Sequence, residues 1–146
     1  MIESLNITGT VNLELYNKGG VKINSMNVSN LVTTLGKNFI VRKIINDAED
    51  VSTIAIGTGT TAANVNDTDL DTSLASATIL FSSVDSVDTN IVSFTTTFEE
   101  GEGTGSITEV GLFSDNSALL CRTVLTTPFE KSPTDYLTVT WKIKIG

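Results

Sequence analysis

The sequence predicts a mainly β protein: a two-sheet β-sandwich or jelly-roll-like domain with one α-helix. The final strand is the clearest evidence, because Leu137, Val139, Trp141 and Ile143 alternate with polar or charged residues. A period of two places successive side chains on opposite faces of a sheet, so one face of this strand is apolar and the other is wetted. Abundant Thr and Ser, with only 2 Pro, are also typical of strands. A length of 146 residues indicates one domain, residues 1–146, that can bury a core.

The chain opens with a predicted hairpin over about residues 5–28. Val11, Leu13 and Leu15 alternate along its first strand, and the Gly19-Gly20 pair supplies a turn. The return strand begins at Val21. Because apolar residues stand at the start of the chain, this hairpin is a candidate for docking or for contacts between copies.

One helix is predicted over about residues 30–46. Apolar residues recur at three- and four-residue spacing from Leu31 to Ile44, and Ser29 or Asn30 is the expected N-cap. Gly36 lies inside this helix, where glycine costs about 1 kcal/mol relative to alanine. Either the helix approaches the sheet closely at Gly36, or the glycine is simply tolerated.

The rest of the chain is predicted to be mostly strands. These cover residues 52–56, 78–84, 91–98, 107–113, 118–124 and 136–145, which gives about eight strands with the opening hairpin. One turn of helix is expected through Leu74, and an irregular crossing at residues 128–134.

Two segments between the strands invite a binding interpretation. Residues 57–61 (GTGTT) follow a strand, but they lack the glycine spacing of a dinucleotide site and the lysine of a P-loop, so they predict a sharp turn. Asp67, Asp69 and Asp71 alternate like the first half of a calcium loop. The match then fails, since position six is Thr72 and position twelve is Thr78. A solvated loop is favoured, with calcium at these three carboxylates as a weak alternative, and no cofactor is expected.

Composition argues against most enzyme classes. The chain has no His, which removes Ser-His-Asp and Cys-His nucleophile systems and the commonest zinc ligand. Glu99, Glu100 and Glu102 lie close together, but the glycines around them predict an exposed hairpin tip, with a catalytic or metal role as the alternative. The chain is therefore not expected to be an enzyme.

Charge and cysteine content exclude further classes. A net charge of −8 disfavours nucleic acid as a partner, because phosphates require clustered Lys or Arg. No apolar run approaches the roughly 20 residues of a membrane-spanning helix, so no membrane partner is expected. The single cysteine, Cys121, cannot form an intrachain disulfide and is predicted to be a small buried apolar residue.

Several segments, in order along most of the chain, resemble a pattern of small structural proteins of tailed bacteriophages. They are residues 30–38 (NLVTTLGKN), 54–61 (IAIGTGTT), 68–70 (TDL), 107–113 (ITEVGLF), 119–122 (LLCR) and 137–141 (LTVTW). These family members are assigned to capsid decoration or to tail fibres. No single segment is specific, and the resemblance lies in the ordered set.

The resemblance implies a virion protein that is made in the host cytoplasm and has no catalytic residues. It implies a homo-oligomer, with a trimer favoured, that binds the major capsid protein or other virion proteins. The sequence has no collagen-like, heptad or β-helix repeat, so a capsid decoration (cement) protein is favoured over a tail-fibre or baseplate component with a receptor-binding role. The candidate docking residues are Ile2, Leu5, Val11 and Val21.

Overall fold

Nine antiparallel strands form one hydrogen-bonded sheet in the computed structural model, which describes residues 5–146. One helix accompanies them, so a mainly β fold with a single helix is confirmed for this part of the chain. The bounds are β1 Ile7–Tyr16, β2 Lys22–Val32, α1 Thr34–Ile44, β3 Val51–Gly57, β4 Ser73–Thr78, β5 Phe81–Val84, β6 Ile91–Phe98, β7 Gly105–Ser114, β8 Leu119–Lys131 and β9 Tyr136–Ile145.

The strand order is β4-β3-β7-β8-β2-β1-β9-β6-β5, and the sheet curls into a half-barrel. The two end strands, β4 and β5, are consecutive in the chain and are joined by Ile79 and Leu80. Ile79 N–H donates to Ser52 O on β3, the strand that pairs with β4. Leu80 N–H donates to Thr95 O on β6, the strand that pairs with β5. The prediction of two separate sheets is not confirmed, because β2 pairs with both β1 and β8 and so links the two halves.

The core lies on the inner face of this curled sheet. Val11 of β1 stands opposite Trp141 of β9, and Leu13 stands opposite Val139, and all four side chains are fully buried. Trp141 is therefore a core residue, as its position in the alternating strand predicted. The same burial corrects the interpretation of Val11 as a docking residue, because a side chain in the core cannot contact a partner.

Helix α1 is shorter than predicted, because the preceding residues belong to β2. Leu31 and Val32 pair with Arg122 and Cys121 of β8, and these backbone contacts keep them extended. The N-cap is Thr33, whose Oγ1 accepts a hydrogen bond from Gly36 N–H at 3.0 Å. The predicted start at residue 30 and the predicted caps are therefore wrong.

Gly36 marks the place where α1 lies against β8. A Cβ atom at this position would collide with the carbonyl oxygen of Leu120. Thr33 Oγ1 also donates to the neighbouring Leu119 O at 2.6 Å. Of the two explanations offered by the sequence, close approach of the helix to the sheet is correct.

Two further boundaries differ from the predictions. Residues 73–78 form β4 and not a helical turn, because Ala75 and Ala77 pair with Ile56 and Ile54 of β3. Strand β8 also continues to Lys131 beyond an irregularity in its register, so the expected irregular crossing is mostly strand. In residues 5–146, the helix falls short of the length and apolar character needed to cross a bilayer.

We predict that Gly36→Ala destabilises the protein even though alanine is the better helix former. The added methyl group meets backbone of β8, and overpacking of this kind costs about 1–3 kcal/mol, against a gain of about 1 kcal/mol from helix propensity. A lower urea midpoint of unfolding is the expected result. Gly19→Ala is the matched control, because its Cβ would only touch Asn17 Oδ1 at 3.4 Å. Equal midpoints for the two variants would contradict the close approach.

Candidate functional site

Arg122 of β8 is the centre of the most strongly interacting group of charged side chains. Its side chain is 1% exposed, and its guanidinium reaches the loop of residues 58–72, which we call the strap. Nη1 donates to Asp67 Oδ2 at 3.0 Å, and Nη2 donates to Thr61 O at 2.9 Å. Nη2 also lies 2.9 Å from Glu109 Oε2 and 3.3 Å from Asp71 Oδ2. We call Arg122, Glu109, Asp67 and Asp71 the ion cluster.

Glu109 of β7 is the second fully buried charge of the cluster. Its two carboxylate oxygens accept hydrogen bonds from the strap, Oε1 from Thr72 N–H at 3.1 Å and Oε2 from Asp71 N–H at 3.2 Å. Hydrogen bonds to an ionised group are stronger than those between neutral groups, and they offset the cost of removing the carboxylate from water. Glu109 thus holds the strap by its backbone while Arg122 holds it by its side chains.

The sheet register brings the two buried charges together. Arg122 stands opposite Gly111 and Glu109 stands opposite Val124, so the two charged side chains are diagonal neighbours on the outer face of β7 and β8. Gly111 leaves room above the sheet, and Leu70 of the strap lies there. The strap therefore covers this face, which is why β7 is buried on both sides.

The glycines that follow β3 are required by the same contact. A Cβ at Gly57 would meet the Glu109 side chain and Thr72 O, and a Cβ at Gly59 would meet Glu109 and Asp71. Thr108 Oγ1 donates to Gly59 O at 2.7 Å and fixes the strap beside β7. The sharp turn predicted at residues 57–61 is not seen: Thr58 N–H still donates to Thr72 O at 2.9 Å, and the close approach of Glu109 is the physical reason for the two glycines.

The three carboxylates of the weak calcium alternative do not converge on one point. Asp67 and Asp71 bind Arg122, whereas Asp69 Oδ1 accepts a hydrogen bond from the adjacent Leu70 N–H at 2.8 Å. Within residues 5–146, His, Cys, Asp and Glu side chains form no group of three or more that could hold a metal ion. A guanidinium occupies the position that a cation would take between Asp67 and Asp71.

The charges of the cluster stabilise one another. Burial alone lowers the pKa of Arg122, but Glu109 and Asp67 outweigh it and hold that pKa above its ordinary value. The pKa of Asp71 is lowered by hydrogen bonds from the side chain and backbone of Thr61 and by the charge of Arg122. Arg122 and Asp71 therefore stay ionised near neutral pH, and the cluster acts as a fixed structural link.

A second buried cation, Lys131, supports the acidic loop of residues 99–105. Its Nζ donates to Glu99 O at 2.9 Å and to Asp135 O at 2.7 Å, and burial lowers its pKa. Glu99, Glu100 and Glu102 are exposed, as predicted. The loop is not a hairpin tip, however, because β6 pairs with β9 and β5 whereas β7 pairs with β3 and β8. The buried lysine was not predicted, because Lys131 lies in residues 128–134, where an irregular crossing was expected.

The predicted docking residues fall in three different environments. Leu5 and Val21 are 71% and 60% exposed, so both are available to a partner. Val11 is buried in the core, and Ile2 lies outside the described residues. Beside Val21, residues 22–28 of β2 pair with β1 on one side only within the described part of the sheet. Strand β8 pairs with β2 at Leu31 and Val32, and its Thr123 Oγ1 donates to Ser29 O at 3.0 Å. This stretch is a free backbone edge.

Cys121 is buried, as predicted, on the inner face of β8. Burial raises the pKa of its thiol to about 12, so the reactive thiolate is not formed at neutral pH. Arg122, the next residue, points to the opposite face and into the ion cluster.

No protein-family model matches this chain, and no significant match is found among curated proteins or solved structures.

We predict that Arg122→Met costs about 3–5 kcal/mol of unfolding free energy, because it leaves Glu109 buried without a counter-charge. Adding Glu109→Gln to this variant should cost less than the sum of the two single changes, as measured in a urea double-mutant cycle. Arg42→Met is the matched control: it breaks the exposed pair of Arg42 with Asp47 and should cost under about 1 kcal/mol. Similar losses for Arg122→Met and Arg42→Met would show that the ion cluster does not hold the strap.

We further predict an acid-dependent loss of stability that depends on Asp71. Its pKa is lowered in the folded state, so its contribution is complete above the unfolded value of about 3.9 and is lost as the pH falls through the lower folded value. Urea unfolding between pH 6 and pH 3 should show a steeper decline for the native chain than for Asp71→Asn. Parallel curves would mean that Asp71 does not contribute in this way.

Proposed function

We propose that the chain is a structural protein of a tailed-bacteriophage virion: a capsid decoration (cement) protein that binds the outside of the capsid lattice. Its partners are the major capsid protein or other virion proteins, and it acts as a homo-oligomer, with a trimer favoured. It uses no cofactor and catalyses no reaction. The resemblance of the ordered segments to phage virion proteins is the basis, and the use that the fold makes of those segments supports it.

The supporting observation is that the resembling segments meet in one network of internal contacts. Residues 30–38 supply Gly36, which lies against β8, and residues 54–61 supply Gly57 and Gly59, which admit the Glu109 side chain. Residues 107–113 and 119–122 supply Glu109 and Arg122 themselves. A pattern whose residues mainly contact one another specifies a scaffold, so in this proposal the function is carried by the surfaces that the scaffold holds.

The outer face of strands β1, β9 and β6 has the polar, weakly charged character that suits an exposed virion surface. Asn12 stands beside Thr140, which stands beside Thr95, and Glu14 stands beside Thr138. Most acidic residues lie instead in loops, for example residues 67–71 and 99–102. Dispersed polarity and a net charge of −8 keep such a protein soluble before assembly.

The free edge of β2 is the natural docking element of the predicted hairpin. Unpaired backbone N–H and C=O groups on an exposed strand accept another strand readily. Residues 22–28 contain one charged residue, Lys22, whose ammonium is paired with Glu14 at 2.9 Å, and they contain no proline. On an acidic protein this edge is a nearly neutral strip, where a capsid strand meets little repulsion.

The decisive experiment measures the copy number of the chain in purified particles of the phage whose genome encodes it. A decoration protein should approach a fixed ratio to the major capsid protein, and its density should lie on the outer shell in a cryo-electron-microscopy map. Binding back to particles stripped of the chain should be weakened by Ile23→Lys, which places a charge on the β2 edge. Lys18→Glu, in the adjoining turn, serves as the charge-changing control. Absence of the chain from particles would overturn the proposal.

A tail-fibre or baseplate component, with a receptor-binding role, is the second candidate. The stacked rings of Tyr16 and Tyr136, whose centroids are 5.2 Å apart at one end of the outer face, favour it. Aromatic side chains next to polar groups are common in binding surfaces. Density at the tail and a much lower copy number would select this function.

A further inference from the structure

The strap is held to the sheet by few apolar contacts. Its residues, 58–72, belong to no helix or strand, and only Gly59 and Leu70 among them are buried. Leu70 is 7% exposed and lies over Gly111 of β7, whereas Val65 is 40% exposed. Segments that bury little apolar area open at a lower free energy than the core of the same protein. The strap therefore depends on polar contacts for its position.

These polar contacts converge on two side chains of the sheet. Asp67 and Asp71 bind the guanidinium of Arg122, at 3.0 and 3.3 Å. The backbone N–H groups of Asp71 and Thr72 donate to the carboxylate of Glu109, at 3.2 and 3.1 Å. Hydrogen bonds that share a donor or an acceptor group strengthen one another, so the loss of one weakens the rest. The strap is thus expected to close and to open as a whole.

The strap also reaches the start of α1. Thr34 is the first residue of the helix, and its N–H, like the others of a first turn, has no acceptor within the helix. Val65 O of the strap accepts a hydrogen bond from this N–H at 2.8 Å. Thr33 is bound separately to β8, because its Oγ1 donates to Leu119 O at 2.6 Å. Opening of the strap therefore releases the Thr34 N–H while the helix keeps its contact with β8.

We propose that the strap is a latch that opens as one unit while the sheet stays folded. Opening breaks the bonds of the strap to Arg122 and Glu109 and releases the Thr34 N–H at the same time. Arg122 and Glu109 remain paired with each other at 2.9 Å, so opening leaves neither charge buried without a partner. This opening is a property of the isolated chain and does not depend on the proposed virion function.

The open latch uncovers apolar side chains that the closed chain hides. Leu70 leaves its position over Gly111, where Leu119 of β8 and Phe113 of β7 also lie. Leu119 is fully buried when the strap is closed. Opening therefore exposes Leu70 and this part of the sheet together, and apolar groups exposed side by side are typical of interaction sites.

Native-state hydrogen exchange of the native chain tests whether the strap opens as a unit. The reporters are the backbone amides of Asp71 and Thr72, which donate to Glu109, and of Thr34, which donates to Val65 O. All three should report the same free energy of opening. That value should lie below the value for paired residues of β7 and β8, since the sheet stays folded.

Two matched variants test whether the ion cluster holds the latch closed. Asp67→Ala removes one bond to Arg122 and touches none of the three reporter amides. It should speed the exchange of all three by about tenfold or more, as expected for the loss of a hydrogen bond to a charged group. Asp69→Ala is the control, because it removes the same charge from the strap but leaves the four residues of the ion cluster intact. It should leave the three rates unchanged.

Three results would overturn the latch. The reporters could exchange only together with the sheet, they could respond to Asp67→Ala by different factors, or the two variants could give equal rates. Unchanged exchange in β7 and β8 shows that the Asp67→Ala chain remains folded. The presence or absence of the chain in phage particles decides the virion function and has no bearing on these rates.

Discussion

The guanidinium of Arg122 is the point on which the arrangement of the chain depends. It joins strand β8 to β7 and to the strap, and with Glu109 it fixes a loop that has no strand of its own. A buried charge is costly without its partners, so any arrangement that separates Arg122 from Glu109 is strongly penalised. The cluster therefore specifies one position of the strap. Gly57 and Gly59 permit that position, because a Cβ atom at either residue would meet the Glu109 side chain.

The alternation of apolar and polar residues predicted the strands well wherever one face of the sheet is exposed to solvent. Strands β6 and β9 have the predicted bounds, because their outer residues are mostly Thr, Ser or Lys. The boundary between β2 and α1 was missed because Leu31 and Val32 fit the helical spacing, and only pairing with β8, far along the chain, keeps them extended. Local pattern and long-range pairing conflict at this point, and the pairing prevails.

The candidate site was partly visible in the sequence. Glu109 and Arg122 are charges of opposite sign inside two adjacent apolar strands, which is a usable signal for a buried pair. The strap gave no such signal, because Asp67 lies 55 residues from Arg122 and reads as a solvated carboxylate. Among the docking candidates, the alternation that placed Val11 with Leu13 and Leu15 already assigned it to the inner face, so its burial follows from the strand pattern itself.

The ion cluster and the seat of the helix share one strand. Strand β8 supplies both Arg122, which holds the strap, and Leu120, against whose carbonyl Gly36 brings the first turn of α1. The helix is fixed to β8 at its first turn, while Val41, Ile44 and Ile45 at its other end are exposed. A shift of β8 would therefore change the direction in which Ile44 and Ile45 point. In this protein the buried contacts of β8 position the helix, and the helix end presents apolar side chains to solvent.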